Sequence, residues 1–183
     1  MSKKRAVFID RDGVVVKPVY HEGFTLPTAP FHFQEFAFLD LSGTLEALSR
    51  LKKNGFLCIL ITNQPDVAYG HILEEEWQKI HRQVRTLAFD DIFMCRHTRE
   101  VNCPCKKPKP GMLFLAAEMW NIDLSRSYMV GDTQNDMLAG QAAGCKTVLV
   151  RTNYNIGIVR DYASNDLLSA AKMILSMEKG GVR

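Results

Sequence analysis

Two aspartates separated by one residue, Asp10 and Asp12, close the apolar run of AVFIDRDG. Three other polar groups follow apolar runs further along the chain: Thr62, Asn63 and Gln64 in ITNQ, Lys106 and Lys107 in CKKPKPG, and Asp132 and Asp136 in GDTQND. Taken singly, each has an ordinary structural reading. DxDG forms turns, Thr-Asn caps strands, lysine-proline runs are solvated loops, and GDxxxD starts helices with aspartate at the N-cap. Taken together they describe a reaction. Two carboxylates about 4 Å apart repel by roughly 4 kcal/mol at an effective dielectric of about 20, so a divalent cation between them is expected. Asp10 and Asp132 are ligands of the kind Mg²⁺ prefers, and Mg²⁺ commonly takes a further oxygen from a phosphate. A lysine of KKPKP and the Thr62 hydroxyl could meet the remaining phosphate charge. One aspartate is then free to attack phosphorus and the other to move protons.

A second cluster is the C-x-H-x5-C-x-C run of Cys95, His97, Cys103 and Cys105. The alternative is a set of free thiols, but these four residues are the ligand types of a closed tetrahedral Zn²⁺ site with no position left for water. Three thiolates and a neutral imidazole around Zn²⁺ leave one negative charge, which Arg96, Lys106 and Lys107 are near enough in sequence to offset. Lys107 follows the last ligand by two residues, so the zinc would fix the loop that carries it. Cys58 and Cys145 sit in or beside apolar runs and read as small buried hydrophobes.

Positioning these groups requires a scaffold with many strand ends on one side. AVFID, FLCILIT, DIFMC, SYMVGD and KTVLVRT are apolar runs of strand length. Helical stretches separate or follow them: LSGTLEALSRLKKNG with Leu45, Leu48 and Leu51 on its apolar stripe, LEEEWQKIHRQVRTLAF with Trp77, Ile80, Val84 and Leu87, GMLFLAAEMW, TQNDMLAGQAAG and NDLLSAAKMILSM. This alternation predicts a doubly wound α/β domain with a parallel sheet, where ligands bind beyond the carboxyl ends of the strands. A single domain over 1–183 is expected, with 14–40 a flap over one end of the sheet and EKGGVR a frayed tail. A net charge of +3 on 183 residues gives no footprint for nucleic acid. No apolar run approaches the roughly 18 residues of a membrane span, and the start lacks a secretory leader. The chain reads as a cytoplasmic monomer acting on a small molecule.

The four groups, in this order and covering nearly the whole chain, resemble the four motifs of the haloacid dehalogenase superfamily. The resemblance implies that Asp10 forms an aspartyl phosphate, that Asp12 protonates the leaving oxygen and then activates water, and that Thr62 and Lys107 hold the phosphoryl group. It implies Mg²⁺ between the Asp10 carboxylate, the Asp12 backbone carbonyl and Asp132, with Asp136 steadying Lys107. Asn63, Gln64 and Lys106 are then expected on the substrate. A capless fold of this kind with a C-x-H and C-x-C loop is similar to the D-glycero-D-manno-heptose 1,7-bisphosphate phosphatases, which release the 7-phosphate, and to the related histidinol-phosphate phosphatases. KKPKPGM through GDTQNDMLAGQAAG looks like the heptose enzymes, and the five-residue gap between His97 and Cys103 like the histidinol-phosphate enzymes.

The chain departs from the heptose pattern after TNQ, where that pattern continues with a Ser-Gly pair and later an arginine before glycine and this chain reads TNQPDVAYG, with Asp66 and Tyr69 at those places. Asp66 adds negative charge and Tyr69 removes a cation, which keeps a monophosphate substrate open. His21 and His32 in the flap are further candidates for substrate contact. A response-regulator receiver shares the acids, threonine and lysine, but its phosphorylated aspartate ends the third strand, where this chain has the cysteine loop. A binding module without catalysis would not need both Asp10 and Asp12.

Overall fold

A computed structural model describes residues 2–180. Six parallel strands form one sheet in the order β3-β2-β1-β4-β5-β6, with β1 at Arg5–Ile9, β2 at Phe56–Asn63, β3 at Asp91–Cys95, β4 at Tyr128–Gly131, β5 at Lys146–Val150 and β6 at Tyr162–Ser164. Side chains alternate across a strand, and β1 shows why both faces are covered. Val7 and Ile9 join a core with Leu48, Leu51, Ala170 and Ile174 from helices α1 (Leu41–Lys53) and α6 (Leu167–Gly180). Ala6 and Phe8 face the opposite core with Met112, Leu113 and Ala139 from α4 (Gly111–Trp120) and α5 (Gln134–Ala142).

The order of the strands determines where a ligand can sit. From β1 the chain steps outward to β2 and β3, then returns to place β4 on the other side of β1. The order of winding therefore reverses between the parallel neighbours β1 and β4, and such a switch point opens a crevice at the carboxyl ends of the two strands. Asp10 and Asp132 each follow one of them directly.

Local sequence accounts for most of the elements and for several differences from expectation. The helix α1 begins where the Asp40 carboxylate accepts the Gly43 amide at 2.9 Å, and its last turn carries Arg50, Lys52 and Lys53 against the dipole. Its buried stripe is Thr44, Ala47, Leu48 and Leu51, so Leu45, expected inward, is exposed. The helix α3 (Glu74–Arg85) buries Trp77, Ile80 and Val84 as expected. A single turn, α2 (Asp66–Tyr69), and β6 are too short to leave a periodic signal. β6 is a strand because β5 offers it an edge, pairing Val148, Leu149 and Val150 with Tyr162, Ala163 and Ser164.

The 14–40 segment is more than a flap. Val14, Val15 and Val16 are core residues, while Val19 and Thr28 exchange both backbone hydrogen bonds at 2.9 and 2.8 Å. Phe31 then packs with Ile72, Trp77 and Ile80, tying the segment to α3. At the other terminus, α6 runs through Gly180 and Glu178 accepts from Arg5 and Tyr128, so the expected fraying does not begin at Glu178. Gly181, Val182 and Arg183 lie outside the described residues. Among the described residues no helix is long and apolar enough to cross a membrane.

The contact between α5 and the sheet leaves no room at Gly140, where an added Cβ would lie 2.7 Å from Met129 Cβ and 2.9 Å from Thr147 Cγ2. Gly140→Ala is therefore expected to destabilise the protein by about 1–3 kcal/mol through overpacking, read as a lower urea midpoint.

Candidate active site

The floor of the crevice is a buried lysine among carboxylates. The Lys107 ammonium lies 2.8 Å from Asp10 Oδ1 and 2.5 Å from Asp136 Oδ1, and donates to the Ile61 carbonyl at 2.9 Å. Its loop is clamped to the end of β2 by Asn63, whose side-chain amide donates to the Lys107 carbonyl and accepts from the Lys107 amide, both at 3.1 Å. Asp136 is held from its own helix start, where Oδ2 accepts from the Thr133 amide at 3.0 Å and from the Thr133 hydroxyl at 2.5 Å. Asp10 Oδ1 also accepts from the Arg11 amide at 2.7 Å, which leaves Oδ2 as its less engaged oxygen.

The electrostatics follow from this packing. Burial raises the Asp10 carboxyl well above the usual carboxylate range and Asp136 pushes the same way, with Lys107 opposing. Burial also works against the Lys107 charge, but Asp10 and Asp136 outweigh it and hold its pKa above that of an ordinary lysine. Burial, then Asp136, push Asp132 up to about 7, despite a hydrogen bond from the Tyr154 hydroxyl to its Oδ2 at 2.5 Å.

Asp132 is placed with care. Asn155 Nδ2 donates to its backbone carbonyl at 2.8 Å. Gly13, in the left-handed region at φ 81°, lets the first loop approach so closely that a Cβ there would lie 2.0 Å from Asp132 Oδ2. Asp132 Oδ1 is buried without a hydrogen-bond partner. Asp10, Asp132 and Asp136 each bring a carboxylate oxygen within 4.8 Å of the others. Both Asp136 oxygens are already engaged, so Asp10 and the orphaned Asp132 oxygen are the donors left for a hard cation.

Asp12 is held apart from that cluster. Arg11 Nε and Nη2 donate to its carboxylate at 3.0–3.1 Å, and Gln64 Nε2 donates to Oδ2 at 2.7 Å. Gln64 donates as well to the Thr62 hydroxyl at 3.0 Å and accepts from Trp77 Nε1 at 3.3 Å. Thr62 and Gln64 are each 1% exposed and neither lines the cavity above the floor, so Gln64 orients Asp12 rather than facing the solvent.

That cavity has a volume of about 340 Å³. Asp10, Asp12, Asn63, Lys106, Lys107 and Asp132 reach it, and the flap contributes Pro18 and Leu26 to Ala29. Asp66 is on its wall. Tyr69 is not, and neither is His32 or His21, which stacks on Phe31 with ring centroids 3.9 Å apart.

The four metal-type residues of the neighbouring loop converge. Cys103 Sγ lies 3.5 Å from Cys95 Sγ and 3.2 Å from Cys105 Sγ, while His97 Nδ1 is 3.7 Å from Cys95 Sγ and 3.3 Å from Cys105 Sγ. A tetrahedral zinc with bonds of about 2.3 Å requires sulfur separations of roughly 3.8 Å, close to this set. Burial pushes the Cys103 thiol up, but hydrogen bonds from Cys105 and Cys95 outweigh it and bring it down to about 6.

Sequence reasoning missed Arg11, Trp77, Tyr154 and Asn155 as site residues. Tyr154 and Asn155 were within reach of the rule that led to the others, since RTNYN follows the carboxyl end of β5. Arg11 was within reach of the same rule, standing between Asp10 and Asp12 past the end of β1, whereas Trp77 gave no such signal because it touches Asp12 only through Gln64, from a helix of the core.

A switch-point crevice with paired acids and a buried lysine defines a haloacid dehalogenase-like hydrolase, and a profile of HAD-hydrolase-like proteins matches residues 104–165. The D-glycero-β-D-manno-heptose-1,7-bisphosphate 7-phosphatase of Pasteurella multocida is 40% identical over 164 residues, covering 81% of this chain and 83% of its own. The corresponding enzyme of Escherichia coli K12 is 36% identical over 90% of this chain and 88% of its own. The chain belongs to this family of heptose bisphosphate phosphatases. A crystal structure of D,D-heptose 1,7-bisphosphate phosphatase from B. bronchiseptica, complexed with magnesium and phosphate, superposes with a TM-score of 0.75 at 30% identity, covering 94% of this chain and 99% of that one.

Removing Asp136 would leave Lys107 with one carboxylate and α5 without its capping box. Asp136→Ala is expected to cost about 3–5 kcal/mol of stability, measured by urea unfolding, because the buried pair loses one partner.

Proposed function

We propose that the protein hydrolyses the 7-phosphate of D-glycero-β-D-manno-heptose 1,7-bisphosphate through an aspartyl phosphate on Asp10. The observation that carries this reading is a single cavity at the switch point of the sheet that the Asp10–Lys107 pair and, from the side, Asp12 all reach. Names of the relatives support the substrate, including its β configuration. In the first step Asp10 attacks phosphorus, the bond from phosphorus to the sugar oxygen breaks, and Asp12 gives that oxygen a proton. In the second, Asp12 takes a proton from water, whose oxygen attacks phosphorus and frees Asp10 with inorganic phosphate. Arg11 and Gln64 keep Asp12 in one orientation for both proton transfers. Lys107 holds the phosphoryl group from the β2 side, with Asn63 positioning Lys107 and Lys106 facing the substrate, while Thr62, expected on the phosphate, lies behind the cavity wall and accepts from Gln64 instead.

Asp10 and the free oxygen of Asp132 would hold Mg²⁺, with the Asp12 backbone carbonyl as the further ligand the family resemblance implies, and the ion would neutralise charge on the phosphate. Zn²⁺ fits Cys95, His97, Cys103 and Cys105, and its role there is to stiffen the loop that delivers Lys107. Every group in the scheme comes from one chain, which fits a monomer, and a phosphorylated metabolite with a reduced thiol cluster fits the cytoplasm. One observation favours a second reading: Asp66 on the cavity wall would suit a cationic phosphate ester such as histidinol phosphate.

Phosphate release with Mg²⁺ from both heptose 1,7-bisphosphate anomers, histidinol phosphate and sugar monophosphates tests the substrate. The β anomer is expected to lead the panel and Asp10→Asn to fall to background with its unfolding midpoint retained. A preference for histidinol phosphate would overturn the substrate, and an active Asp10→Asn the mechanism. Elemental analysis is expected to find one zinc per chain, and its removal by a chelator to lower kcat/KM by on the order of a hundredfold as Lys107 loses its position.

A further inference from the structure

A second cavity of about 190 Å³ adjoins the first beneath the cysteine loop. It is lined by Arg99, Asn102 and Lys109, and it shares Asn63, Lys106 and Lys107 with the catalytic cavity. No carboxylate reaches its wall, in contrast to the aspartates of the larger cavity. Among the described residues Arg99, Lys106 and Lys109 form no ion pair, although the exposed Glu100 lies near enough to Arg99 and Lys106 to feel their charge. Lys106 and Lys109 donate to neutral groups only, the His97 carbonyl at 3.1 Å and the Asn102 carbonyl and Oδ1 at 2.8 and 2.5 Å. The Arg99 guanidinium makes no hydrogen bond or ion pair among the described residues, although its backbone is firmly held: the Arg99 amide donates to the Tyr69 hydroxyl at 2.6 Å.

The larger cavity cannot supply the same environment. Above the floor its wall is neutral apart from Asp66, with apolar residues from the flap beside polar ones such as Thr28, Asn135 and Tyr154, and the cations that reach it are Lys106 and Lys107. Lys107 is already committed to Asp10 and Asp136. An anion remote from the reacting phosphate would meet Asp66 on that wall, whereas past Lys106 it would meet Arg99 and Lys109. We propose that this second cavity seats the non-reacting phosphate of a bisphosphate substrate, with Arg99 and Lys109 binding it and Tyr69 positioning Arg99. The tyrosine thus restores through its tether the cation that its own position lacks. The assignment rests on the bisphosphate reading above and adds residues that read the second phosphate.

The test compares kcat/KM for heptose 1,7-bisphosphate with that for heptose 7-phosphate, using purified zinc-loaded enzyme. The ratio of the two is expected to fall about tenfold or more in the double variant Arg99→Gln, Lys109→Gln, through KM for the bisphosphate, since each lost charged hydrogen bond is worth roughly a factor of ten. Tyr69→Phe is expected to lower the ratio less, again through KM and not kcat, and Arg99→Lys to recover part of the loss. Arg99→Gln breaks no side-chain hydrogen bond or ion pair among the described residues and keeps the backbone bond to Tyr69, so it alone carries the test if the double variant fails to fold. A ratio unchanged in the variants would overturn the subsite while leaving the substrate in place. A wild-type enzyme that does not favour the bisphosphate over the monophosphate would overturn the substrate reading, and the subsite with it.

Discussion

Everything at the crevice depends on one buried cation. Lys107 lies between Asp10 and Asp136, and the three charges have little solvent to share their cost. Charges so buried are tolerable only if each is paired and hydrogen-bonded, and breaking one contact is far more damaging than exchanging the whole set. The surrounding structure meets that demand. Asn63 holds the Lys107 backbone, the capping box of α5 holds Asp136, and the Arg11 amide holds Asp10. Gly131 belongs to the same arrangement, since a Cβ at that position would lie 2.3 Å from Asp136 Cβ.

The balance is still incomplete, and the imbalance has a location. Asp132 adds another buried carboxylate with one oxygen taken by Tyr154 and the other without a partner. A lone buried acceptor of this kind is costly unless something binds it. The missing charge is positive and the free donors are carboxylate oxygens, which is the preference of a hard divalent cation and the phosphate that accompanies it. Asp12 is kept out of this competition because Arg11 and Gln64 engage its carboxylate.

The cysteine loop, the flap and α3 connect this centre to the rest of the fold. Lys106 and Lys107 follow the last cysteine directly, so convergence of Cys95, His97, Cys103 and Cys105 fixes where the lysines emerge. Trp77 of α3 reaches Gln64, and through it Asp12, while the same tryptophan packs against Phe31 of the flap. The flap and Asp12 thus share one anchor, a physical link between the wall of the cavity and the orientation of a carboxylate that reaches it.

The sheet was legible because strands buried on both faces leave unbroken apolar runs, and all five of those runs became strands. The acids, the lysine and the cysteine loop were legible too, since their chemistry is carried by residue type and short spacing. Other features had no such local signature. β6 exists only by pairing with β5, Leu45 faces outward because the helix rotated Ala47 and Thr44 into the core, and Val14 to Val16 entered the core from a segment without periodicity. Arg11, Trp77, Tyr154 and Asn155 became site residues through contacts made across the fold or within a buried turn. Sequence alone thus determined the class of chemistry and the order of its parts, because both are written in residue types along one chain. Tertiary structure decided which oxygens stay free and which cations stay without an ion pair, because hydrogen bonds between distant elements allocate each charge its partner.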